Sequence, residues 1–388
     1  MMHLIYATYQ YFPDSRTNTF QSISTIKEFI NLGYEVDLIY PDRKKLNKNE
    51  DINNFYNIDE EFNSIKIKHF SKNPYKKVNL YNRLNYLLSH CIYAYKLKKI
   101  ISNLIKEDTF IFTRSPFVVY FLRRLDKPIA YEIHQLTKIS KFIIKRFMKY
   151  SNNVLLIAVS PGIVKILQNI GINDNAIEYL ETGYDEKLFS KIEKINIYKD
   201  YSENVIKFIY GGSLKIQGSE KGIKDLIKCF HHVCIENSID NIYFDIYCSS
   251  DEEELSLGEY LDVNNFSNHI RVHKRISNEN FYRELLQSNI GFIPLPNTEH
   301  VNNFSSSMKF FEFVRANLFI LGSDVEANKR YHYKKLKLYK ENKDSIKKAI
   351  LFAIENYDKD SSLIDANITQ YSYSNRIKVI EKRLKLLN

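Results

Sequence analysis

Short apolar runs alternate along the chain with longer stretches whose apolar residues recur at helical spacing. The runs predict buried strands at 3–8, 34–40, 65–70, 109–113, 128–133, 154–158 and 176–180. Between the first two, Asn18 is placed to cap a helix running to Leu32, with Gly33 as its stop. A long helix is predicted over 79–106, a short one after Ser115-Pro116, and a basic one over 138–150. Ser160-Pro161, a cap followed by a first-turn proline, opens another that stops near Gly171. Residues 42–64 are polar and aperiodic and read as a surface excursion.

The segment from Glu181 to Phe189 begins a connection that the charged residues 190–204 continue. The alternation then restarts, with strands at 206–211, 242–248, 270–273 and 290–294 and helices at 220–236, 251–262 and 278–288. After the last of these strands, Pro294 and Pro296 end the apolar run. A loop leads to a helix capped by one of the serines Ser305, Ser306 or Ser307, and a further strand follows Asn317. Beyond Asp324 come a strand around 335–339 and helices near 344–357 and 372–387. Repeated strand–helix alternation gives parallel sheets covered on both faces. The expected architecture is α/β, with two doubly wound, Rossmann-like domains facing across a cleft. The first spans 1–185 and the second 186–370, and a C-terminal helix over 371–388 packs back toward the first domain. Ligands of such sheets sit beyond the strands' carboxyl ends.

The chain's 388 residues suit two domains of ordinary size. No apolar stretch is long enough for a transmembrane helix, and the opening Met1–Thr8 reads as a first strand rather than a signal peptide. Four cysteines, Cys91, Cys229, Cys234 and Cys248, make no disulfide framework at this length and point to a reducing cytoplasm. His231 and His232 lie between two of them, but on a helix the four side chains diverge, so no metal site is expected. Charge is the stronger signal. The net charge is +10, and residues 62–150 hold 19 Lys/Arg against 4 Asp/Glu, a local +15 that leaves the rest at −5. Such a field concentrates nucleic acid, a membrane surface or a phosphorylated substrate. Lys138, Lys141, Lys145 and Lys149 line one face of helix 138–150, with Ile139, Phe142, Ile143 and Phe147 on another. That pattern fits an anionic membrane, and equally a helix packed on a sheet with its lysines in water.

The helix after Ser305–Ser307 carries the candidate chemistry. Its first backbone N–H groups lack intrahelical partners and suit a phosphate. Lys309 and Glu312 project from one face. A carboxylate beside an anion site makes sense if it accepts hydrogen bonds from sugar hydroxyls; otherwise it is an ordinary first-turn glutamate. Gly211 and Gly212 follow a strand and permit close backbone approach to a ligand.

Ser306, Lys309, Glu312 and Phe313 resemble the Ser-Pro-x-Lys-x-x-Glu-aromatic signature of glycosyltransferase family 4, whose members have the two-domain GT-B fold. Ser307 stands where proline is usual, Asn317 where glycine is, and Phe319 where a second proline is. The likeness extends in order through Ala158-Val159-Ser160, Gly183-Tyr184-Asp185 and Tyr210–Leu214 with Lys221-Gly222. It implies that the first domain binds acceptor and the second a nucleotide sugar. Glu312 would then hold the donor ribose, and Lys221, Gly211, Gly212, Ser306, Ser307, Met308 and Lys309 the diphosphate. Ser213 occupies the family's arginine position, for which Lys215 is a candidate substitute, and Phe304 replaces an earlier glutamate. Arg275 and Ile276 fall where the nucleobase lies, and Asn297 and Thr298 where the donor sugar is contacted. His134, ending a strand, matches a histidine near the transferred sugar, where it would bond a hydroxyl or the reacting centre. Asn18, Arg114 and Ser115 are the acceptor-side candidates.

The resemblance implies a retaining, metal-independent hexosyltransferase using a UDP- or GDP-sugar, with no cofactor and no nucleic-acid partner. Helix 138–150 and the charge around it suggest the acceptor class, a glycan or lipid-linked saccharide of bacterial surface polysaccharide such as capsule or lipopolysaccharide. Together with the charge, the resemblance suggests a cytoplasmic enzyme peripheral to the inner face of the cytoplasmic membrane. The rival readings are a GT-B sugar-nucleotide epimerase or hydrolase and a non-catalytic nucleotide- or nucleic-acid-binding protein.

Overall fold

A computed structural model of the chain describes residues 2–14, 16–42, 51–68, 80–149, 151–194, 205–266, 268–358 and 368–387, with side chains at 80–83 excepted. Residues 43–50 of the expected surface excursion and 195–204 of the expected connection lie outside the described residues. The chain divides into two units, Met1–Glu181 with Tyr373–Asn388, and Thr182–Ser372.

In the first unit, β1 (His3–Ala7), β2 (Glu35–Asp42), β3 (Asn63–Lys68), β4 (Thr109–Thr113), β5 (Ile129–Ile133), β6 (Val154–Ala158) and β7 (Ile177–Tyr179) form one sheet. Its strands pair in parallel in the order β3-β2-β1-β4-β5-β6-β7. Every residue of β1, β4, β5 and β6 is buried, which is why they read as unbroken apolar runs. The helices are α1 (Thr17–Asn31), α2 (Ile52–Tyr56), α3 (Leu80–Leu104), α4 (Pro116–Leu122), α5 (Lys138–Ile143) and α6 (Pro161–Asn169). Ser115, Thr137 and Ser160 cap α4, α5 and α6 through side-chain oxygens.

Three expectations need correction. Asn18 lies inside the first turn of α1 rather than at its cap. The helix starts at Thr17 because the Asp14 carboxylate holds Arg16 through its backbone N–H at 3.0 Å and its Nε at 2.7 Å. The polar stretch at 42–64 contains α2, whose Ile52 and Tyr56, with Ile58 just beyond, enter the core. The basic helix is α-helical only to Ile143 and continues over Ile144–Met148 as a π-helix.

In the second unit, β8 (Ile206–Gly212), β11 (Ile242–Cys248), β12 (Ile270–His273), β13 (Ile290–Ile293), β14 (Phe319–Ser323) and β15 (Leu336–Tyr339) pair in parallel in the order β12-β11-β8-β13-β14-β15. A two-residue hairpin, β9 (Lys215–Ile216) with β10 (Ser219–Glu220), stands apart. The helices are α7 (Glu186–Glu193), α8 (Ile223–Glu236), α9 (Asp251–Asn264), α10 (Asn278–Gln287), α11 (Glu299–Phe304), α12 (Met308–Arg315), α13 (Glu326–Lys329) and α14 (Lys343–Asn356). The expected connection therefore begins with a helix. Asp185 caps α7, Phe189 and Ile192 are buried, and Arg315 of α12 binds both Glu186 and Glu193.

Both sheets reverse strand order at one point, between β1 and β4 and between β8 and β13, and loops at such points diverge into a crevice. The last helix, α15 (Tyr373–Lys385), returns to the first unit, where Ile377, Ile380 and Leu384 are fully buried in the core around β1 and β2. Truncating Ile380 to alanine is expected to lower the stability of this unit by about 2–5 kcal/mol, read as an earlier urea transition. A change under about 0.5 kcal/mol would mean that α15 adds nothing to this core.

Candidate functional site

In the second unit the reversal point is built on two glycines. A Cβ on Gly211 would lie 2.3 Å from Cε2 of Phe281, so the bare backbone is what lets α10 pack against β8. Gly212 has φ +141°, a conformation that glycine adopts without strain. The chain then makes the β9–β10 hairpin, closed by the Lys221 N–H on Leu214 O at 2.9 Å. The extra residues at 215–220 are thereby taken up within the hairpin, and Lys221 comes back to the glycine turn. Its Nζ donates to Tyr210 Oη at 3.3 Å and lies 3.9 Å from the position a Gly212 Cβ would take. Burial pushes the Lys221 ammonium down to about 8, and nearby Lys309 pushes the same way against Glu253.

Lys309 belongs to α12. Its Nζ sits 3.8 Å above the Phe281 ring and donates to Glu312 Oε2 at 2.9 Å. Glu312 is only 3% exposed, and its Oε1 accepts from Tyr282 Oη at 3.1 Å. Gly211, Phe281, Tyr282, Lys309 and Glu312 thus form one contact chain, and Lys221 faces its cationic end.

At the start of α12, Ser307 is the cap and accepts from the Phe310 N–H at 3.3 Å, with Met308 the first helical residue. Ser306 Oγ accepts from the Thr182 N–H at 2.8 Å. Arg330 donates to Ser305 O at 2.6 Å and to Tyr331 Oη, which accepts from the Ser307 N–H.

Other candidates lie elsewhere in this unit. Lys215 is solvent-exposed on the hairpin, 2.7 Å from Glu220, and Ser213 donates to Lys215 O at 2.7 Å. Asn297 accepts from Asn302 at 2.9 Å, and Thr298 caps α11, so the loop expected through His300 is helical from Glu299. Arg275 and Ile276 follow β12, whose His273 is bonded to Asp245 at 2.7 Å and stacked on Tyr247.

In the first unit the candidates gather on a buried ion network. Glu132 receives Arg114 and Arg376 at 2.6 Å each and the His134 Nε2 at 2.5 Å. Burial would raise the Glu132 carboxyl, but Arg114 and Arg376 hold it well below the carboxylate range. His134 is shifted down, by burial first and then by Arg114. Arg114 also donates to Asn18 O at 2.9 Å, while Ser115 is used as the α4 cap. Arg376, on α15, donates through Nε to Glu181 O at 2.9 Å.

Sequence reasoning did not select Glu132, Arg376, Phe281 or Tyr282. Glu132 was accessible to it, because residues two apart on a strand share a face. The other three come from distant segments with no local signal.

No protein-family profile matches the chain, and no curated protein matches it in sequence. Solved structures do. A glycosyltransferase from Rickettsia africae superposes with a TM-score of 0.70 at 14% identity, over 100% of this chain and 98% of that one. Sucrose-phosphate synthase from Thermosynechococcus elongatus gives 0.68 at 10%, over the whole of both chains. Anabaena HepE, solved with UDP-glucose, gives 0.64 at 11%, also over the whole of both. The fold is GT-B. At these identities the match defines the architecture alone, with the GT-B units corresponding to the two parallel sheets.

Replacing Glu132 with glutamine is expected to cost about 3–5 kcal/mol, because two buried arginines lose their counter-charge. His134→Gln, altering a one-third exposed ring, should cost under about 1 kcal/mol. Urea titrations of both variants check this; equal losses would contradict the network's role.

Proposed function

We propose that the chain is a glycosyltransferase of the family 4 type, moving a hexose-type sugar from a nucleoside-diphosphate donor to a glycan or lipid-linked saccharide. The observation that carries this is Lys221 beside the Gly212 turn at the sheet's reversal point, close enough to Lys309 to feel its charge, with buried Glu312 bonded to Lys309. A diphosphate laid over Gly211 and Gly212 would meet both ammonium groups and the first N–H groups of α12. These stabilise charge on the departing nucleoside diphosphate without a metal. Glu312 keeps acceptor capacity for ribose hydroxyls, since each carboxylate oxygen accepts more than one bond. HepE, of the same fold, was solved with UDP-glucose, which favours a UDP-sugar here.

His134, shifted toward its neutral form, would give its Nε2–H to Glu132 and offer Nδ1 to a sugar hydroxyl. Retention would follow from attack on the face the leaving group vacates. Arg114 in this reading positions Glu132 and the start of α1. Asn18 and Ser115 would shape the acceptor side through backbone and cap. The basic surface of the first unit would keep the enzyme on the cytoplasmic face of a membrane, in surface polysaccharide synthesis.

Glu312→Ala is expected to raise the donor KM by on the order of tenfold or more, with the fold retained at a cost of about 1–3 kcal/mol for the Tyr282 hydroxyl left without its acceptor. Unchanged donor binding would remove the ribose assignment. The anion needs Lys221 charged, so its hold weakens as pH rises through the folded value of about 8. The UDP dissociation constant should rise about fivefold between about pH 8 and about pH 9, and Lys221→Arg should flatten that profile in calorimetric titrations. The same titrations with EDTA test metal independence.

A further inference from the structure

Among the described residues, seven of the thirteen exposed large apolar side chains lie on α3 and α5. The rest are scattered over other elements, so this clustering marks a surface. On α3, Leu84, Leu88, Ile92 and Tyr95 follow one another at intervals of four, four and three, which puts them on one narrow stripe. Leu88 is 57% exposed and Tyr95 66%. Residues 84–95 contain no Asp, Glu, Lys or Arg, and Lys96, Lys98 and Lys99 follow directly.

α4 packs between α3 and α5 and joins their exposed faces through aromatic rings. Tyr95 meets Phe121 edge-on at 6.3 Å, and Tyr120 meets Phe147 at 4.8 Å. Phe147 in turn meets Phe142, itself 62% exposed beside Ile139. Cations are interleaved: Arg123 lies 4.2 Å from the Tyr120 ring centre and Arg146 5.8 Å from that of Phe147. Lys138 and Lys145 are exposed on the same element pair. No Asp or Glu occurs in α3, α4, α5 or the π-helix that follows.

We infer that this three-helix face docks on an anionic lipid bilayer, with the α3 stripe and Phe142 entering the acyl boundary. The lysines and arginines around it would bind lipid phosphates. Apolar protrusions ringed by cations and aromatics, with acids excluded, match a headgroup region in both layers of its chemistry. Nucleic acid would match the charge and leave the aliphatic stripe in water. The assignment deepens the membrane contact of the proposed reading and gives it a different centre. The basic helix contributes charge and one ring, while α3, neutral along the stripe, supplies most of the insertion.

The test is flotation of the full chain with phosphatidylglycerol–phosphatidylcholine vesicles against pure phosphatidylcholine, at low and high salt. Wild type should bind the anionic vesicles, with salt reducing the bound fraction without abolishing it. L88E/I92E, which leaves helix 138–150 untouched, and Phe142→Ser should each lower partitioning by about tenfold. Both alter exposed side chains, and an unchanged thermal midpoint and far-ultraviolet circular dichroism spectrum would show that each variant is folded. Equal binding of wild type and L88E/I92E would overturn the α3 assignment, as would equal binding to neutral vesicles. Lipid-free dimers that L88E/I92E dissociates would make the occupant a second copy and overturn it too. Vesicle binding does not require turnover, so loss of the glycosyltransferase reading would appear in the UDP measurements and leave this result standing.

Discussion

The second unit depends on one close approach, the Phe281 ring occupying the space a Cβ on residue 211 would fill. Because Gly211 is bare, α10 settles against the carboxyl end of β8. Phe281 then lies beneath the Lys309 ammonium, and the adjacent Tyr282 reaches the Glu312 carboxylate. A second close approach does the same for α12, where a Gly291 Cβ would meet the Phe313 ring at 2.5 Å. Two helices are thus drawn onto the sheet at the strands flanking the reversal point. Their polar residues meet there because their aromatic residues are buried nearby. Any side chain at 211 would displace α10 and with it the Phe281–Lys309 and Tyr282–Glu312 contacts.

The two units handle charge in opposite ways. In the first, two guanidinium groups and an imidazole surround Glu132, so a buried carboxylate stays ionised and each arginine has a counter-charge in contact. In the second, Lys221 is partly buried beside another cation, and its one hydrogen-bond partner of note is a neutral phenol. Burial, with a smaller push from Lys309, outweighs the attraction of Glu253, and an anion in contact would offset that cost. Arg114 and Lys221 both end strands or turns at sheet reversal points, yet only Lys221 lacks a counter-charge in contact.

Much of this was legible in the chain. Strands buried on both faces announce themselves as apolar runs, and Ser115-Pro116 and Ser160-Pro161 mark helix starts by capping chemistry that needs no tertiary context. The elements that escaped were short or locally ambiguous. Hairpin β9–β10 has two residues per strand, too few for alternation to show. Helix α7 sits among charges that suggest a linker, and its glutamates make sense only once Arg315, more than a hundred residues later, is seen to bind them. Arg16 displaced Asn18 as the cap because Asp14 bonds it, a local preference that outweighed residue type. Within the site, Lys309 and Glu312 were legible from helical spacing. Tyr282 and Arg376 were not, since contacts across 30 and 244 residues leave no periodic trace.

The charge asymmetry resolves into separate physical roles once side chains are placed. Of the basic residues between 62 and 150, Arg114 is internal and neutralised by Glu132. Arg123 lies against a surface ring, and Lys96, Lys99 and Lys145 are exposed near apolar side chains that a water-facing surface would not favour. Had the excess served solubility alone, acids would be interspersed and the Leu84–Tyr95 stripe would carry charges. Had it served packing, Leu88 and Phe142 would be buried. Cation and apolar exposure occurring together is what neither solubility nor folding requires, and it is the combination a lipid headgroup layer satisfies.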